Sequence, residues 1–194
     1  MSNWAVLCPG PSLSKVKSIQ AALGCVIAVN SAILRFPETT RFWAMLDGEV
    51  FASCAGRIDL KKLAAKPVTL WTHHNFENSG RSADWNHETH ELFRTFSALQ
   101  WKNLSMLLPV GSDIEWQNYS FFTAIALAII GRARLIRVYG ADLDGNGYFT
   151  DGFTNFRTDH RPARWEHESE AFRQVIKYCN VNNLARIEMM KGPQ

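Results

Sequence analysis

The stretch Trp4-Ala5-Val6-Leu7-Cys8-Pro9-Gly10-Pro11-Ser12-Leu13 decides how the chain is read. Five apolar residues, Trp4 to Cys8, then Pro-Gly-Pro-Ser, then an amphipathic run from Leu13 to Leu23 spell a buried strand, a tight turn and a helix. Gly10 is able to take a positive φ and has no side chain to bar a ligand, and Ser12 is a good N-cap for a helix starting near Leu13. Such an elbow is expected to leave bare amides and the positive end of a helix facing its mouth, which suits a phosphate. Gly10, Pro11, Ser12 and Leu13 are therefore the first candidate nucleotide-binding residues, although the G-x-G-x-x-G fingerprint is absent.

Working outward, the motif repeats. Cys25 to Val29 is a second apolar strand ending at Asn30, with Gly24 read as the glycine that closes the first helix. Arg41 to Leu46 is a third, ending at Asp47 and leading into a short helix through Val50 and Phe51. Further strands are expected over Lys66–Thr72, Leu104–Leu108, Leu135–Tyr139 and Ala185–Met190. Between them, Ser120 is placed to cap an apolar helix from Phe121 to Ile130 that Gly131 ends, and Arg164 to Asn180 is an amphipathic helix. The pattern predicts an α/β fold, Rossmann-like and doubly wound, with a mostly parallel sheet of about seven strands and helices on both faces. Residues 1–194 are read as one domain, with 76–100 as a polar excursion or lid. In such a sheet ligands bind beyond the carboxyl ends of strands, so Gly10, Asn30 and Asp47 are expected on one rim.

Bulk properties narrow the function. A net charge of +3, from 21 basic and 18 acidic residues without a Lys/Arg run, argues against a nucleic-acid partner. The longest apolar stretch, Phe121 to Ile130, is too short for a membrane span, and no signal segment is evident, so a cytoplasmic location is expected. The four cysteines, Cys8, Cys25, Cys54 and Cys179, are widely spaced and read as buried thiols in a reducing compartment.

Two segments carry further chemistry. After the strand ending at Tyr139 comes Gly140-Ala141-Asp142-Leu143-Asp144-Gly145-Asn146-Gly147-Tyr148. Asp142, Asp144 and Asn146 match the first half of a calcium loop, but its twelfth position is Phe153 and a strand precedes it. The carboxylates can instead hold Mg²⁺ or Mn²⁺ with a nucleotide, accept hydrogen bonds from ribose or base, or solvate a turn. No dedicated metal site and no firm cofactor follow. His160 and His167, at the start of the last helix, are candidate general acids or bases, because imidazole titrates near working pH; His167 also reads as an ordinary surface residue. His73-His74 at a strand end point to opposite faces, and Arg157, Arg161 and Arg164 form either an anion clamp or a solvated cluster.

With Gly10-Pro11-Ser12-Leu13, Asn30, Ser120, Gly140-x-Asp142 and Asn146-Gly147-Tyr148 in view, the chain resembles Rossmann-like proteins that share a G-P-S-L turn. These are the bacterial sialyltransferases acting on lipooligosaccharide and the related 6-hydroxymethylpterin diphosphokinase-like proteins. The first resemblance implies a transferase using a cytidine nucleotide sugar. By it, Asn30 and Ser120 hold the nucleotide, Tyr148 meets its phosphate, and a histidine, His160 or His167, serves as base to a small-molecule or glycan acceptor. The second implies diphosphate transfer from ATP with Mg²⁺ on Asp142 or Asp47. A third reading is a silent nucleotide- or sugar-binding module of phage or mobile-element origin. Formation of a homo-oligomer stays open in all three.

Overall fold

Cys25-Val-Ile-Ala-Val and Trp4-Ala-Val-Leu are apolar at every position, as strands covered on both sides must be, and they lie side by side at the middle of a parallel sheet. The computed structural model describes residues 2–19, 24–45, 50, 54, 57–58, 68–70, 94–95, 108–114, 116, 119–143 and 162–190, with side chains except in 68–70, 94–95 and 162–165. Five strands are described with side chains: β1 (Asn3–Leu7), β2 (Cys25–Val29), β3 (Phe42–Ala44), β6 (Leu135–Tyr139) and β7 (Arg186–Met190). Two short ones, β4 (Val68–Leu70) and β5 (Arg94–Thr95), extend one edge, giving the order β5-β4-β3-β2-β1-β6-β7. Every neighbouring pair is parallel.

Residue alternation divides the core in two. Val6, Cys8, Ile27, Val29, Ile136 and Val138 face one layer, and Ala5, Leu7, Val26, Ala28 and Tyr139 face the other. The first layer contains both long helices, α1 (Ser120–Ile130) and α2 (Pro162–Val181). Phe121 of α1 meets Phe172 of α2 with ring centroids 5.0 Å apart. On the opposite face, among the described residues, lie two short 3-10 turns, Pro11–Lys15 and Asn30–Leu34, with Cys54 and Ile58.

Two local expectations are corrected. Over its described residues, 13–19, the run from Leu13 is not an α-helix: it closes after one 3-10 turn, and Val16 is already extended at φ −72°, ψ 119°. Tertiary contacts override its amphipathic pattern, since Arg35 Nη2 donates to the Val16 carbonyl (2.9 Å) and Ile19 is buried under the second core layer. Residues 20–23, which precede Gly24, lie outside the described residues, and the Gly24 amide donates to the Asn3 carbonyl (2.6 Å). At α1 the N-cap is Tyr119, with Ser120 the first helical residue and no side-chain capping bond. Of the strand expected over Leu104–Leu108 all but Leu108, a bend, lies outside the described residues, and the fifth strand among the described residues is Arg94–Thr95, inside the stretch read as a polar excursion.

Candidate functional site

The strand order reverses beside β1: its successors in the chain, β2 and β3, lie on one side and β6 on the other. Such a reversal opens a crevice at the carboxyl ends of the two flanking strands, the usual ligand position in open parallel sheets. The registers Leu7↔Ala28 and Leu7↔Tyr139 bring Asn30 and Ala141 level with Pro9. Gly10, Asn30, Gly140 and Asp142 thus share one lip; of the three residues expected on one rim, Asp47 lies outside the described residues.

The lip is built around the protein's own carboxylate. The Ser12 amide donates to Asp142 Oδ2 (2.9 Å) across 130 residues of chain. The Gly10 amide donates to the Gly140 carbonyl (2.8 Å), the Cys8 amide to the Tyr139 carbonyl (2.7 Å), and the Leu13 amide to the Gly10 carbonyl (3.0 Å). Pro11 has no N–H. Each elbow amide from Gly10 to Leu13 is already bonded, so the bare phosphate cradle expected from the sequence is not formed. Gly10 itself has φ −68°, a value open to any residue. Its lack of a side chain serves another purpose: a Cβ there would collide with Asp142 Oδ2 and the Gly140 carbonyl. The left-handed glycine is Gly140, at φ 70°, where a Cβ would strike the Cys8 carbonyl and lie 2.8 Å from Leu13 Cβ.

Asn30 is unusual twice over. Its backbone is left-handed at φ 49°, and its Oδ1 is buried without a hydrogen-bond partner among the described residues. Asparagine tolerates that backbone better than most residues, but an orphaned buried acceptor costs about 1–3 kcal/mol and calls for a reason. Neighbouring Ser31, only 1% exposed, carries a second orphan at Oγ. The Asn30 carbonyl is anchored by the indole Nε1 of Trp43, which donates to it (2.7 Å).

Glu168 is the residue the sequence reading passed over. It is 9% exposed, among the few buried polar residues. Its spacing to Phe172 and Val175 on the buried face of α2 is i, i+4, i+7, a signal that was there to be read. Burial, then the charges of Glu168 and Asp142, hold the Cys8 thiol well above its ordinary range. Both carboxylates thus act on the same end of β1, and Cys8 is an inert core thiol rather than a nucleophile.

The remaining candidates divide clearly. Leu13 is fully buried, a core residue. Ser120 is nearly buried at the start of α1. His167 is exposed on α2, its ring centroid 6.3 Å from that of Tyr119, the residue before Ser120. Asp47, Asp144, Asn146, Tyr148 and His160 lie outside the described residues, as do the expected lid apart from Arg94–Thr95 and the side chains of Arg157, Arg161 and Arg164. Among the described residues no group of three or more metal-ligating side chains gathers, and no helix is long and apolar enough to cross a membrane.

The fold and lip define a parallel α/β architecture with its crevice at the strand-order reversal. No family model matches the sequence, and no curated protein does. Among solved structures, the chain is similar to the sialyltransferase CstII from Campylobacter jejuni in complex with a substrate analogue, CMP-3FNeuAc. The match has a TM-score of 0.54 at 13% identity and covers 96% of this chain and 86% of that one. At this identity the likeness is one of fold alone.

Proposed function

We propose that this protein is a sialyltransferase-like glycosyltransferase that binds a cytidine nucleotide sugar across the carboxyl ends of β2, β1 and β6. The observation that carries the reading is Asn30: a left-handed residue on the lip whose buried Oδ1 has no partner among the described residues. Strain and unsatisfied polarity of this kind concentrate where a ligand completes the structure. The fold shared with an enzyme whose structure holds a CMP-sugar analogue agrees with it.

In this reading Asn30 and Ser120 hydrogen-bond the nucleotide, and Tyr148 meets the phosphate as it leaves. Of the two candidate bases, His160 and His167, the described one is His167, exposed and with its ring centroid 6.3 Å from that of Tyr119, the residue before α1; it is taken as the base. The acceptor hydroxyl gives its proton to the imidazole while its oxygen bonds the anomeric carbon. The glycosyl–phosphate bond breaks, and its electron pair leaves on the nucleotide. Positioning the two reactants supplies much of the acceleration.

The test is release of CMP from a CMP-activated sugar by the full-length chain, followed by chromatography. Faster release than in buffer, abolished by His167→Ala with the fold intact, supports the reading. Binding of ATP with Mg²⁺ and not of cytidine nucleotides would turn it toward diphosphate transfer.

A further inference from the structure

The elbow after β1 has the sequence of an anion cradle, yet its two amides pointing beyond the local turn are taken, that of Gly10 by the Gly140 carbonyl and that of Ser12 by the Asp142 carboxylate. Four features agree. Pro11 contributes no N–H, and Leu13 donates within the turn to Gly10. Ser12 donates to Asp142 Oδ2 at 2.9 Å. Gly10 is required at its position because that carboxylate stands where a Cβ would be. Gly140, left-handed at φ 70°, turns the chain after β6 so that Asp142 arrives there. A carboxylate accepting a backbone N–H makes a charge-assisted bond of the kind a ligand phosphate would otherwise make.

We infer that Asp142 is the resident anion of this elbow, a positioning and specificity-determining residue. It builds the turn without ligand, keeps a nucleotide's phosphate off the Ser12 amide, and obliges the ligand to meet this lip with hydrogen-bond donors. A phosphate brought to the elbow would face like charge in partly buried surroundings, where screening by water is weak. For the identity of the ligand the inference rests on the nucleotide-sugar reading; for the self-occupied elbow it does not.

Nuclear magnetic resonance on the full chain separates the two. The coupling through the hydrogen bond between the Ser12 amide nitrogen and the Asp142 carboxyl carbon is followed with inorganic phosphate and with CMP as probes. In the wild type the coupling is expected to persist at saturation with either, while the Asn30 resonances shift with CMP. In Asp142→Ala the vacated Ser12 amide is expected to gain a saturable shift with inorganic phosphate that the wild type lacks. Should that variant not fold, Asp142→Asn, which keeps an acceptor oxygen, is expected to leave the Ser12 amide bonded. Loss of the wild-type coupling on adding phosphate or CMP overturns the inference, as does a folded Asp142→Ala indifferent to phosphate. If CMP moves no resonance at all, the nucleotide-sugar reading fails, while the phosphate titrations still decide the state of the elbow.

Discussion

The indole of Trp43, fully buried on β3, donates from Nε1 to the carbonyl of Asn30 at 2.7 Å, and so fixes the left-handed residue that ends the neighbouring strand. A side chain from one strand thereby sets the backbone of the residue that follows the next, the one proposed to bind the nucleotide. Trp43→Phe keeps most of the apolar volume but strands the Asn30 carbonyl. The expected cost is about 1–3 kcal/mol in chemical denaturation, with weaker CMP binding alongside. Unchanged stability and binding would remove Trp43 from the account.

The two glycines of the lip are expected to resist substitution while a third does not. Gly140→Ala places a Cβ against the Cys8 carbonyl in a left-handed conformation, and Gly10→Ala drives one into Asp142 and Gly140. Each should lose about 2 kcal/mol or more, Gly140→Ala through backbone strain of about 1–3 kcal/mol on top of its clash and Gly10→Ala through overpacking, typically about 1–3 kcal/mol. At Gly111 an added Cβ meets nothing within 4 Å, so Gly111→Ala should be neutral or gain up to about 1 kcal/mol through the unfolded chain. Thermal melts of the three variants give the comparison.

Alkaline pH should weaken the fold through its thiols. Burial pushes Cys54 from 9.0 up to about 12, and Cys25 and Cys179 from 9.0 up to about 11. Above pH 9 the unfolded chain gives up these protons and the folded chain holds them, so stability is full below about pH 9 and falls as pH rises toward 11 or 12. Thiolate ultraviolet absorbance should accordingly rise near pH 9 only in denaturant, and the native protein should resist alkylation at about pH 8. Rapid alkylation of the native thiols would show that the cysteines are less enclosed than described.

Much of the framework was legible because it depends on short-range pattern. The unbroken apolar runs at Trp4–Leu7, Cys25–Val29 and Leu135–Tyr139 admit few uses other than covered parallel strands, and Phe172, Val175 and Cys179 mark one face of α2. Asn30 was legible as a polar residue at a strand's carboxyl end. What escaped reading depends on contacts distant in sequence. Nothing near Ser12 says that a carboxylate 130 residues on will take its amide. Nor does the local sequence say that Gly10 is small for the sake of that carboxylate while Gly140 supplies the left-handed turn. The helix expected from Leu13 failed for the same reason, its amphipathic pattern yielding to Arg35 and the buried Ile19.

The central claim is that Asn30 awaits a nucleotide, and calorimetric titration of CMP into the wild type and Asn30→Ala tests it most directly. Saturable one-to-one binding to the wild type, weakened at least about tenfold in a folded Asn30→Ala, about 1.4 kcal/mol, is the predicted result. No binding heat with the wild type, or equal affinity in the variant, would contradict it.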